Sequence, residues 1–268
     1  MKTKILLHFK FGFLLWLLLG ADSIKAQRTS ESVKVLSYNI HHCNPPSKAD
    51  YIDLPAIARV IRDSGADLVA LQEVDVNTER SGKGVHQARE LANLSGMHFY
   101  FVKNIDHQGG DYGVAILSRF PVVDSAAHKL PMKDGAGGEP RGVAEVRVRL
   151  KNEKEIIFAS THLDLKPENR KLQAEELNRL FKDRTLPVIL AGDFNAVPGS
   201  EPISILDKNF QRTCNDGCGF TIPVINPDRT IDFIMYGIAD PVKVLSHKVI
   251  NESYASDHLP VFAELEIE

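Results

Sequence analysis

The sequence carries no excess of positive charge. Its 32 Lys and Arg are outnumbered by 35 Asp and Glu, for a formal charge of −3, and no stretch shows the basic footprint of a chain that tracks nucleic acid. Internal repeats and interdomain linkers are also absent, so residues 27–268 read as one domain. The one long apolar run, residues 11–20, is too short to cross a bilayer, and no Cys ends it, which argues against a lipid anchor. Cysteine is scarce, with Cys43, Cys214 and Cys218 alone. Zinc is disfavoured, because Cys214 and Cys218 have no second ligand pair nearby and the adjacent His41, His42 and Cys43 would point alternately across a strand.

What is present begins with an export layout. Lys2, Lys4 and Lys10 precede the apolar run, and a small polar stretch ends at Ala26, as in a cleaved secretory signal over residues 1–26; an uncleaved N-terminal anchor is the competing reading. Cleavage removes four Lys and one Asp, leaving 28 basic against 34 acidic residues and a charge of −6. A periplasmic or secreted location is therefore expected. In such a compartment the turn-rich Cys214-Asn-Asp-Gly-Cys218 suits a local disulfide with Cys43 left free, against the alternative of three thiols. With 43% hydrophobic and 25% charged residues, the remainder is globular.

Strand and helix periods alternate along it. Residues 33–39 alternate as a strand ending in Asn39, and Leu54, Ile57, Ala58 and Ile61 lie at helical spacing before Gly65. An apolar run over 67–73 ends in Glu73. A second helix over 86–93 precedes strands over 97–103, 111–118, 122–128 and 142–150. The Gly-rich stretch 133–140 reads as a mobile loop unable to pack, which delivers Arg141. A buried strand over 156–162 ends in His162, a helix covers 167–183, and strands over 231–235 and 259–265 close the chain.

Between these, Val188 to Ala191 form an apolar strand that leads through Gly192 into Asp193 and Asn195. Two apart on an extended segment, these can face one way, as a proton acceptor and an amide donor for an oxyanion. The same tetrapeptide also fits an ordinary turn. Asn39, Glu73, His162 and Asp257 each have a structural reading as well: a turn former, a solvated strand end, an interior histidine and a cap. Their shared placement at strand ends is what favours a site.

Ser37-Tyr-Asn-Ile40, Leu71-Gln-Glu-Val74, Gly113-Val-Ala-Ile-Leu-Ser-Arg119, Thr161-His-Leu163, Gly192-Asp-Phe-Asn195, Thr230-Ile-Asp-Phe-Ile234 and Ser256-Asp-His-Leu-Pro-Val261 resemble, in order, the motifs of the endonuclease/exonuclease/phosphatase superfamily. The resemblance implies an α/β fold, a four-layer α/β/β/α sandwich of two mixed β-sheets, and hydrolysis of phosphate esters with Mg2+, Mn2+ being the alternative ion. It implies Glu73, with Asn39 and Asp257, as oxygen ligands of the metal. Asp193 would orient or deprotonate the attacking water, Asn195 would hold it or a phosphoryl oxygen, and Asp232 would pair with His258. His162 would contact the phosphate or leaving oxygen. Arg141 is the candidate phosphate clamp, with Thr221 and Arg229 weaker candidates. A monomer acting on a lipid head group or other small phosphate ester is expected; a secreted nuclease is the alternative, and a binding protein on an inactive fold the second.

Overall fold

Period-two patterning becomes two sheets in the computed structural model, which describes residues 30–268. The expected signal over 1–26 lies outside the described residues. The strands are β1 (Glu31–Asn39), β2 (Leu68–Val76), β3 (His98–His107), β4 (Gly110–Ser118), β5 (Val122–Lys129), β6 (Gly142–Arg149), β7 (Glu155–His162), β8 (Val188–Asp193), β9 (Phe210–Arg212), β10 (Asp232–Gly237), β11 (Val242–Val249) and β12 (Val261–Ile267). The helices are α1 (Leu54–Ser64), α2 (Gln87–Ser95), α3 (Pro167–Phe181) and α4 (Glu201–Leu206). The first sheet runs β11-β12-β1-β2-β4-β3 and the second β5-β6-β7-β8-β10-β9. Each sheet has a parallel pair at its centre, β1 with β2 and β7 with β8, flanked by antiparallel neighbours. Both are therefore mixed.

Alternation decides what each face buries. Val35, Ala70 and Ile116 of the first sheet meet Val146, Phe158, Ile189 and Ile234 of the second, forming the central core. The intervening residues Leu36, Tyr38 and Leu71 point outward onto Ile57 and Ile61 of α1 and Leu91 of α2. On the far side Leu190 and Phe233 pack against Leu177 and Phe181 of α3 and Ile203 of α4. The α/β/β/α sandwich is thus the observed architecture. Parallel central strands need cover on both faces, and the helices supply the outer cover. Full burial of Phe158 between the sheets contributes roughly 1.5–3 kcal/mol.

Local chemistry sets the ends. Asp53 caps α1 by accepting from Ala56 N at 3.0 Å, and Gly65 ends it in the left-handed region at φ 68°. The third helix stops at Phe181, short of the expected 183. Three elements escaped the sequence reading: α4, β9 and the edge strand β11. In β11 a register shift between Val244 and Ser246 breaks the alternation and leaves Leu245 exposed, which removes the period-two signal.

The 133–140 loop is also corrected, because it packs against the start of α3. Asn169 Nδ2 donates to Gly137 O at 2.8 Å, Lys133 N to Asn169 Oδ1 at 2.8 Å, and Glu139 N to Asp164 Oδ2 at 3.1 Å. Gly138 has φ 102°, and a Cβ there would sit 2.2 Å from Asp164 Oδ2, so glycine lets this loop approach closely. Cys214 and Cys218 are bridged, with Cα atoms 5.6 Å apart, and Cys43 is free and buried. No helix among the described residues is long and apolar enough to cross a membrane.

Candidate active site

Along the facing sides of the central strands, composition changes from apolar to polar toward one end. On β1 the facing residues run Val33, Val35, Ser37, Asn39; on β7, Ile156, Phe158, Ser160, His162; on β8, Ile189, Ala191, Asp193. Ser37, Gln72 and Ser160, all buried, separate the hydrocarbon core from the functional end. In the second sheet, register puts three groups on one rung, for His162 is the Cα partner of Asp193 and Asp193 that of Asp232. Gly192 is required just before them, since a Cβ there would lie 2.1 Å from Thr161 O on the neighbouring strand.

Glu73 reaches the same place by another device. It does not end its strand, as expected, but sits at a bulge where Leu71 pairs with Ala115 and Val74 with Gly113, with φ at 58°. Simple alternation would turn it toward the helices with Leu71. The bulge re-aims it into the cleft.

The side chains meet in a pocket of about 560 Å3 lined by Glu73, Arg141, His162, Asp193, Asn195 and His258 among others. His258 Nδ1 lies 2.9 Å from Asp232 Oδ2, and His258 Nε2 lies 3.8 Å from Asp193 Oδ2. Burial alone would lower the His258 pKa, but the Asp232 carboxylate, with the charges of Asp193 and Asp257, outweighs burial and raises the pKa to about 10. Asp193 is pushed up to about 7, first by burial and then by the charge of Asp232. The Asn195 amide N–H donates to Asp193 Oδ1 at 2.8 Å, and its side chain donates to Leu163 O at 2.9 Å, a geometry reached with Asn195 at φ 49°.

His162 is buried between donors. Arg141 Nη1 is 3.2 Å from Nδ1, and burial, then the charges of Arg141 and His258, drive its pKa well down, so it is neutral. Arg141 can only donate to Nδ1, while Nε2 has the Asn195 Nδ2 donor at 3.0 Å and the Asp193 Oδ2 acceptor at 3.4 Å, so the role of Nε2 follows the tautomer. Arg141 itself is 6% exposed and held by Glu139 at 2.9 Å, so the loop delivers it into the pocket and not to solvent.

The expected metal ligands divide. Asn39 Nδ2 donates to Glu73 Oε1 at 3.0 Å and to Asp193 Oδ2 at 3.1 Å, while its Oδ1 accepts from His41 N at 3.1 Å. As placed, Asn39 turns its N–H groups to the two carboxylates and its Oδ1 to the His41 N–H. Asp257 is half-buried, with Oδ1 3.4 Å from Ser256 Oγ, and among the described residues it makes no hydrogen bond to Glu73 or to the Asn39 side chain. Glu73 does suit a divalent cation. Its one histidine neighbour, His42 Nδ1 at 4.0 Å, is lowered to about 4 by burial and by the charge of Arg80, so it is neutral and leaves the carboxylate without a counter-charge. Asp193, Asp232 and His258 also lie close enough together to suggest a metal centre. A protonated His258 bound to Asp232 has no lone pair for a metal, and we read this cluster as a charge and proton system.

Of the weaker candidates, Thr221 is structural: fully buried, it accepts from Ile231 N at 3.2 Å and from Leu259 N, through its carbonyl, at 2.7 Å. Arg229 lines the pocket rim, paired with Asp228 at 2.8 Å. Sequence reasoning missed His42, Tyr112 and Arg170. Tyr112 was legible, since alternation through Ile116 and Val114 puts it on the facing side of β4 at the site end. Arg170, in the first turn of α3, carried no signal at all.

A model described as Endonuclease/Exonuclease/phosphatase family matches residues 36–258. The chain is 29% identical to the protein YbhP of Escherichia coli K12 over 260 residues, covering 88% of this chain and 97% of that one. It is 26% identical to inositol phosphosphingolipids phospholipase C of Schizosaccharomyces pombe over 196 residues, 65% of this chain and 43% of that protein. The structure of a mannosyl-6-phosphatase from Bacteroides thetaiotaomicron aligns with a TM-score of 0.71 at 21% identity, over 87% of this chain and 99% of that chain, a likeness of fold.

Proposed function

This chain belongs to the endonuclease/exonuclease/phosphatase family, and from that premise we propose that it is an exported, divalent-metal-dependent hydrolase of small or lipid-borne phosphate esters. The observation that carries this is the meeting, 3.8 Å apart, of a carboxylate poised near neutrality and a fixed imidazolium. Asp193 takes a proton from the attacking water, which Asn195 helps hold. His258, charged and oriented by Asp232, faces the charge growing on the phosphoryl oxygens, and Arg141 adds a second cation there. The neutral His162, held between Arg141 and Asn195 beside Asp193, is placed to contact the phosphate or the leaving oxygen. A divalent cation bound at Glu73, whose carboxylate Asn39 orients, would polarise the phosphoryl group. Asp257 adds negative potential nearby, raising the pKa of His258 together with Asp232 and Asp193.

Hydrolysis of bis-p-nitrophenyl phosphate should need added Mg2+ or Mn2+ and be lost in chelator. Glu73→Gln should weaken the metal dependence by about tenfold or more, and Mg2+ should raise the Tm of wild type more than that of the variant. Full turnover in chelator would sink the metal assignment.

A pocket of about 560 Å3 has the size of a small-molecule site. A duplex-tracking nuclease would instead spread Lys and Arg along a groove, with steep salt dependence. In a panel of plasmid DNA, RNA, sphingomyelin, phosphoinositides and sugar phosphates at physiological salt, with His258→Ala as the blank, a small or lipid phosphate should turn over fastest. Fastest cleavage of plasmid, falling sharply with salt, would transfer the assignment to a nuclease.

A further inference from the structure

The cationic side chains that line the pocket are each paired with a carboxylate except at one point. Arg141 is paired with Glu139 at 2.9 Å, Arg229 with Asp228 at 2.8 Å, and His258 with Asp232 at 2.9 Å. Arg170 lines the same pocket, yet among the described residues it forms no ion pair with a carboxylate. It folds back from the first turn of α3 under the β7–α3 connection, where Nη1 donates to Asp164 O at 3.1 Å and to Leu165 O at 2.6 Å. Those bonds fix the direction of the guanidinium without neutralising it. Its Nε is buried with no partner. Burial lowers its pKa, a cost that Asp164, Asp193 and Glu168 offset only through space.

A half-buried guanidinium with free N–H groups, held rigidly beside the reacting centre, is built to receive an anion. The scissile phosphate already has His258, Arg141 and the site at Glu73 to meet its charge. We propose that Arg170 is a specificity residue which binds a second anionic group on the substrate, so that the preferred class is a polyol phosphate bearing another phosphate or a carboxylate. This rests on the phosphoesterase reading above and narrows it. A head group ending in a cation, such as phosphocholine, would bring like charge to Arg170 and is disfavoured.

The test compares kcat/KM in two matched pairs: inositol 1,4-bisphosphate against inositol 1-phosphate, and vesicles of phosphatidylinositol 4-phosphate against phosphatidylinositol. In Arg170→Gln, whose amide can still donate to the two carbonyls, the preference for the doubly anionic member should fall about tenfold or more, carried by KM and not kcat. Arg170→Lys should recover part of the preference, which loss of loop structure would not allow. A change confined to the soluble pair identifies a free phosphate as the source, and one confined to vesicles a lipid. Equal losses on both members of each pair would overturn the inference while leaving the hydrolase reading intact. Absence of metal-dependent hydrolysis of any ester by wild type would remove that reading and this one together.

Discussion

Asp193→Asn is expected to lower kcat by about 10³ or more and to abolish the acidic limb of the pH profile. The carboxylate must be free of its proton to take one from water, and burial with the adjacent Asp232 charge holds its pKa at about 7. Wild-type rate should therefore rise with pH up to about 7 and then level. His258, held at about 10, stays charged across the plateau, so the second fall begins only as pH approaches 10. Stability moves the opposite way. A carboxyl whose folded pKa is raised is most stabilising below its unfolded value, and that contribution is lost as pH rises through about 7. The neutral amide avoids that loss, so the variant's Tm should not drop at neutral pH. Rate profiles with a chromogenic ester and melting curves on the same preparations test both points. An unchanged acidic limb in Asp193→Asn would remove it as the base.

His258→Ala and Asp232→Asn should each lower turnover by about 10² or more, and the double variant should lose little beyond the worse single. Nδ1 of His258 and Oδ2 of Asp232 are 2.9 Å apart and both residues are buried, so the carboxylate fixes the ring and supplies the charge that keeps it protonated. Without Asp232, only the charges of Asp193 and Asp257 oppose burial, and His258 loses its proton at a lower pH. The basic limb of Asp232→Asn should accordingly move downward, a shift that a merely structural role would not produce. Simple additivity of the two losses, or an unmoved basic limb, would contradict the pairing.

The central strands were legible because each has a face that must be dry. Runs such as Val188 to Ala191 and Ile156 to Ala159 are apolar on both faces, as strands covered by a second sheet and a helix need to be. Edge strands face water on more sides and so carry weaker patterns, which is why β11, with its bulge, was not readable. The residue types that carry chemistry were legible for a related reason. A carboxylate or histidine ending an apolar run has no packing role to explain it, and Asp193 and His162 both stood out that way.

Sequence by itself thus determined the alternation and the succession of elements, because these are properties of neighbours along the chain, and it offered Asn39, Glu73, His162, Asp193, Asn195 and His258 as candidates, with Asp232 added by the resemblance to the family motifs. Tertiary structure decided what those groups are chemically. Register between β7, β8 and β10 brought His162, Asp193 and Asp232 onto one rung, and burial there together with the Asp232 charge raises Asp193, while the clustered carboxylates hold the charge on His258. The bulge at Glu73, the packing of the 133–140 loop against Asp164 and Asn169, and the inward hook of Arg170 likewise depend on contacts between segments far apart in sequence. Electrostatic energies fall off with distance in space, not along the chain, so the charge state of this site could be settled only once the strands were aligned.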